Sequence, residues 1–159
     1  MKVLVLNAGS SSLKCQYFVD QETIVTIHAE RIGEDQGYSE LFYQGKSIIR
    51  HSPILTQHEA LKGIFSLLNE FDILDSIEAL DAIGHRIVHG GSSFHLPTRI
   101  NSDVIEEIRK FIPLAPLHNP FSLEAIETIH REYPHLFQVA VFDTAFHHTM
   151  PAHAYLYPL

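Results

Sequence analysis

Val3-Leu4-Val5-Leu6-Asn7-Ala8-Gly9-Ser10-Ser11-Ser12-Leu13-Lys14 carries the chain from an apolar run through a small polar turn into a second apolar run. A buried strand ends its hydrophobic run this abruptly where the backbone is about to turn. The turn residues leave backbone N–H groups uncovered and set hydroxyls beside them, which is one way to surround a phosphate. Lys14 adds a point charge at the edge. It is not the phosphate loop that ends in Gly-Lys-Ser/Thr before a helix, because residues 13–19 read as a strand. A glycine-serine hairpin between two core strands accounts for the same residues, and the stretch alone leaves both readings open.

Outward from this stretch the chain stays strand-rich. Residues 23–32 hold Thr23, Ile24, Val25, Thr26 and Ile27, a β-branched run that predicts a third strand, and residues 33–37 form a charged turn. Leu41-Phe42-Tyr43 and Ser47-Ile48-Ile49 flank Gln44-Gly45-Lys46, a hairpin pattern. The first fifty residues therefore read as short strands in meander order. After Pro53, Thr56 and Glu59 have capping-box spacing, with Leu55 placed as a hydrophobic staple. Ala60, Leu61, Ile64, Leu67, Leu68 and Phe71 then define the buried face of a helix, and Gly63 within it suggests a close approach to the sheet.

Asp81-Ala82-Ile83-Gly84-His85-Arg86-Ile87-Val88-His89-Gly90-Gly91 reads as a strand broken by paired glycines. Arg86 sits among apolar neighbours, where a fixed cation is costly unless an anion partners it; a structural salt bridge would also supply one. Residues 92–100 read as a loop. Asn101 or Ser102 caps a short helix with Val104, Ile105 and Ile108 facing in. Asn119 and Pro120 read as N-cap and first helical residue of the next helix, which ends before Pro134 and puts His118 beside its positive end. Gln138-Val139-Ala140-Val141-Phe142 is a buried strand with Asp143 at its carboxyl end, where α/β sheets bind ligands; capping a helix that begins at Thr144 is the other reading of that aspartate.

Composition narrows the classes. The 159 residues suffice for one ordinary domain, and 45% of them are apolar, as in a globular chain. A formal charge of −8 argues against a nucleic-acid surface. No apolar run approaches the roughly 18–20 residues of a membrane span, and no signal-peptide pattern opens the chain, so a cytoplasmic protein is expected. Cys15, the single cysteine, lies in an apolar run and reads as a buried inert thiol. There are twelve histidines, yet His85 and His89 fall on a strand and no H-E-x-x-H or cysteine cluster accompanies them. The spacing therefore gives little support for zinc.

Four stretches together resemble the signatures of the acetate kinase family. They are Asn7-Ala8-Gly9-Ser10-Ser11-Ser12-Leu13-Lys14, Gly84-His85-Arg86-Ile87-Val88-His89-Gly90-Gly91, Leu114-Ala115-Pro116-Leu117-His118-Asn119-Pro120 and Phe142-Asp143-Thr144-Ala145-Phe146-His147 with Met150-Pro151. The resemblance implies an α/β domain of the ribonuclease H-like fold shared with actin, sugar kinases and Hsp70 ATPase domains. That domain has a mixed five-stranded sheet opening on a β-meander and flanked by helices. It also implies reversible phosphoryl transfer between ATP and acetate or propionate, with Mg²⁺ or Mn²⁺, giving an acyl phosphate and ADP. Asn7, Ser10, Ser12 and Lys14 match the family's phosphate segment, and Asn7 is also a candidate near the metal. Arg86 matches the arginine that binds the substrate carboxylate and the equatorial oxygens. His118 matches a donor to the transferring phosphoryl group, and Asp143 the essential aspartate. Val88 and Leu117 match positions lining the pocket for the substrate's alkyl group.

The family's chains are more than twice this long. Residues 1–159 thus resemble the amino-terminal domain, with the nucleotide-binding domain and most of the family's homodimer interface not among them, and the isolated chain is expected to be inactive. The Tyr155-Leu156-Tyr157-Pro158 segment is family-like, and His148 stands where glutamine is usual. A carboxylate- or phosphate-binding module, or a butyrate kinase-like chain, is the alternative.

Overall fold

The computed structural model describes residues 1–155; the Leu156-Tyr157-Pro158 part of the final segment lies outside the described residues. β1 (Lys2–Ala8) and β2 (Ser12–Val19) pair antiparallel, with Asn7 opposite Lys14 and Ala8 opposite Leu13, so residues 9–11 are the turn between them. β3 (Glu22–Glu30), β4 (Tyr38–Tyr43) and β5 (Lys46–His51) continue the meander. The hairpin expected at Gln44-Gly45 is present. Both residues take positive φ, 50° and 74°, the backbone that matches strand twist in a two-residue turn.

From β5 the chain crosses through α1 (Gln57–Glu70) to β6 (Ala82–Ile87), which lies parallel to β1. β7 (Thr98–Arg99), α2 (Ser102–Lys110) and α3 (Asn119–Glu132) follow, and β8 (Gln138–Phe142) lies parallel to β6. The strand order among the described residues is β5-β4-β3-β2-β1-β6-β8-β7. The expectation of a five-stranded sheet is corrected to eight strands. The five central ones, β3-β2-β1-β6-β8, form the mixed core. The tight Gln44-Gly45 turn keeps β4 and β5 in the same sheet, and residues 92–100, expected as loop, add β7 at the other edge by pairing Thr98 and Arg99 with β8.

Alternation decides which face is buried. Leu4, Leu6, Leu13, Cys15, Val25, Ile27, Leu41, Ile83, Ile87 and Ala140 point to one face, against Leu61, Ile64 and Leu68 of α1, Ile108 of α2 and Ile126 and Ile129 of α3. α1, α2 and α3 all cover that face. The opposite face carries Asn7, Lys14, Gln16, Arg86 and Val141, which are half-buried or exposed. Burial drives the Cys15 thiol's pKa far above its ordinary value, in keeping with an inert core residue. None of the described helices is long and apolar enough to cross a membrane.

The signals for α1 hold with two corrections. Thr56 caps α1, its Oγ1 accepting from the Glu59 N–H at 3.1 Å, while the Glu59 carboxylate accepts from the Leu55 N–H at 2.7 Å. Leu55 is 56% exposed and therefore staples nothing. Gly63 makes no close approach, since a Cβ built there meets nothing within 4 Å. Its cost is then purely conformational, and Gly63→Ala is expected to stabilise the chain by up to ~1 kcal/mol in urea unfolding. An unchanged or lowered midpoint would contradict this.

Candidate active site

β1, β6 and β8 run in the same direction, so their carboxyl ends meet at one edge of the fold. Asn7 is next to last in β1, Arg86 is next to last in β6, and Asp143 immediately follows β8. The register pairs Leu6 with His85 and Arg86 with Val141, which sets Asn7, Arg86 and Val141 in one row on the face opposite α1, α2 and α3. Three residues separated by up to 136 positions become neighbours through strand direction and parity alone.

Arg86 meets Asp143 side-on. Its Nε donates to Oδ1 at 3.0 Å and its Nη2 to Oδ2 at 2.7 Å, and Nη1 lies 3.5 Å from Asn7 Oδ1. The anion that Arg86 requires is therefore Asp143, and the aspartate serves the arginine rather than capping the short 3₁₀ turn Asp143–His147 that it opens. Hydrogen bonding to Asp143, with its charge as a further contribution, raises the guanidinium pKa against partial desolvation. The pair is half-open to solvent, and a guanidinium has more donors than one carboxylate takes, so Arg86 can also receive an external anion.

Lys14 stands directly across from Asn7 on β2, on the same face. Ser10 is exposed in the turn, and Ser12 opens β2. The turn is pinned from below: the Gly9 N–H donates to Ser12 O at 2.8 Å, Ser11 O accepts from the Ile32 N–H at 3.0 Å, and Gly9 O accepts from Gln57 Nε2 at 2.6 Å.

His118 is the N-cap of α3, so Asn119 and Pro120 shift one place inward from the expected cap and first position. The reason is that the Asn119 side chain is used elsewhere. Fully buried, it accepts from the His89 N–H at 3.3 Å and donates to His89 O at 2.9 Å. Ser122 adds a bond to Arg86 O at 3.3 Å. The start of α3, with His118, is thereby fastened to the strand end that carries Arg86. The Gly90 N–H donates to Thr144 Oγ1 at 3.1 Å, and the Gly91 N–H to His89 Nδ1 at 2.9 Å, which ties in the segment after β8. Gly90 has no room for a side chain, because a Cβ would lie 2.7 Å from the Phe142 ring. Sequence reasoning gives Gln57 and Thr144 no partner and Asn119 only the part of a cap, because their partners lie 48, 54 and 30 residues away. The only signal was that Asn119 and Thr144 fall inside the quoted motifs. Val88 is half-buried and Leu117 is 70% exposed, so the described residues do not close a pocket over Leu117.

With this geometry in view, the comparisons with known proteins are specific. The chain superposes on the crystal structure of Porphyromonas gingivalis acetate kinase with a TM-score of 0.94 and 37% identity, over 99% of this chain and 41% of that one. It superposes on a propionate kinase from Francisella tularensis with a TM-score of 0.86 and 38% identity, over 96% of this chain and 39% of that one. The fold is therefore the actin, Hsp70 and sugar-kinase type. An acetate kinase of a Sulfurovum species is 58% identical over all 159 residues, which span 40% of its length. The acetokinase family model matches residues 2–159, and the chain belongs to that family.

Proposed function

We propose that this chain forms the acyl- and phosphate-facing wall of an acetate kinase cleft, in which a phosphoryl group passes reversibly between ATP and acetate or propionate. The observation that carries the proposal is the Asn7–Arg86–Asp143 constellation at the carboxyl ends of three parallel strands. Arg86 binds the substrate carboxylate and then the equatorial oxygens of the transferring group, with Asp143 holding the guanidinium plane. His118, at the positive end of α3, donates to the same phosphoryl group, and Ser10, Ser12 and Lys14 face the phosphates. Val88 and Leu117 contact the short alkyl group once a second surface covers Leu117.

The chemistry asks for little more. A carboxylate is ionised and nucleophilic at pH 7, so no base is needed. A loose phosphoryl transition state is served by alignment and positive charge. Asn7 Oδ1 and the Asp143 carboxylate are hard oxygen donors of the kind Mg²⁺ takes, and each keeps lone pairs beyond those that Arg86 occupies, so these two residues would hold a metal arriving with nucleotide phosphates. When bound, Mg²⁺ supplies neutralisation of phosphate charge.

The chain spans about two fifths of the length of the relatives it matches. The nucleotide site, the other half of the electrostatic clamp and the homodimer contacts belong, on this proposal, to the remaining three fifths. The 159-residue chain alone is then expected to form no acetyl phosphate above background, whereas a chimera with the remaining part of the Sulfurovum relative does so in a hydroxamate assay. Turnover by the isolated chain would overturn the division of labour, and a folded but inactive chimera would overturn the kinase reading. A carboxylate- or phosphate-binding module, the second reading, predicts anion binding with no turnover in either protein.

A further inference from the structure

Gln57 is the first residue of α1, an exposed position in most helices, yet only 4% of it reaches solvent. Its Nε2 donates to Gly9 O at 2.6 Å, across 48 residues of sequence. Its Oε1 is buried and has no hydrogen-bond partner among the described residues. The amide cannot be turned round, because that would set two oxygens at 2.6 Å. A buried acceptor without a partner is unfavourable, and native chains keep few of them. The cap of α1 is supplied by Thr56, so the Gln57 side chain is not needed for it. What the arrangement does hold is the carbonyl of Gly9, in the turn between Asn7 and Ser12. An open surface groove of about 220 Å³, lined by Ser10, Thr56, Gln57, Phe121 and Glu124 among others, runs beside Ser10 of the turn.

We propose that Gln57 is a positioning residue for the phosphate-facing turn. It draws the Gly9 carbonyl away from the cleft, which leaves Ser10 and Ser12 presented to the phosphate. Its unpartnered Oε1 is the stability given up for that orientation. The proposal rests on residues 7–12 facing phosphate, as argued above.

The test uses the ¹⁵N-labelled chain titrated with inorganic phosphate, following the amide resonances of Gly9, Ser10, Ser11 and Ser12 and the thermal midpoint. Gln57→Met keeps the volume and removes both the donor and the unpartnered acceptor. It is expected to melt close to the parent while binding phosphate about tenfold more weakly or worse, since small misplacements at such sites are costly. Gln57→Glu gives a second readout. Its carboxylate repels Gly9 O near pH 7.5 and shifts the turn resonances; protonated near pH 5.5, it donates again and the parent pattern returns. Phosphate affinity in Gln57→Met equal to the parent's, or Gln57→Glu turn resonances that ignore pH, would overturn the positioning role while leaving the phosphate reading intact. A parent chain whose turn resonances do not respond to phosphate would overturn the phosphate reading itself, and the proposal with it.

Discussion

An Arg86→Ala variant is expected to fold like its parent and to lose acetyl phosphate formation by about 10²–10³-fold when both are assayed in the chimera. The two halves of this expectation come from different magnitudes. The Arg86 and Asp143 side chains are 50% and 40% exposed, and an ion pair this open adds at most ~1 kcal/mol to stability. On the proposed function the same guanidinium acts on charge that develops at the transferring phosphoryl group, where a fixed donor matters far more. Arg86→Lys is expected to recover little, because an ammonium cannot reproduce the fork that grips Asp143 while a second anion is bound. A large fall in thermal midpoint with activity intact would return the pair to the structural salt bridge that the sequence also allowed.

Acidification from pH 7 to pH 4 is expected to cost the chain up to ~3 kcal/mol through His85 alone. His85 and Gln138 are buried, with His85 Nε2 2.9 Å from Gln138 Oε1, and burial lowers the imidazole pKa from 6.5 to about 4 against the opposing pull of that bond. The unfolded chain therefore binds the proton first as pH falls. The stabilisation is complete above pH 6.5 and drains away toward pH 4. For a domain of this size the loss is a fall of about 10 °C in melting temperature. Glu70 and Glu107, whose pKa values are lowered chiefly by hydrogen bonds from Arg50 and Lys110, lose their contribution as pH falls from the ordinary carboxylate range, so they add nothing to the slope above it. A His85→Leu/Gln138→Leu double variant should flatten the profile between pH 6.5 and 4.5. An unchanged slope would show that other groups produce it.

What could be read in advance followed locality. Alternation gave the strands, 3.6-residue periodicity gave the helices, and the apolar run ending at Asn7 marked the turn, because each signal lies within a few residues. Arg86 announced that it needed an anion, but nothing near it identified Asp143, 57 positions on. Asn119 before Pro120 looked like a cap by local rules; the His89 backbone claimed its side chain, which no nearby residue could reveal. Leu55 satisfied the staple pattern and still points to solvent. Resemblance supplied roles for residues that physics alone could offer only as candidates. It had nothing to say about Gln57, whose importance rests on a contact rather than a motif.

Arg86 and His85 are consecutive residues of one strand, and the two largest effects expected of this protein fall on opposite sides of it. A strand has only odd and even positions. Inserting or deleting one residue between Ile83 and Arg86 would exchange them, driving the guanidinium into the core and the imidazole into the cleft. A single-residue length error in β6 that no bulge absorbs therefore costs the strand its core and its proposed chemistry together.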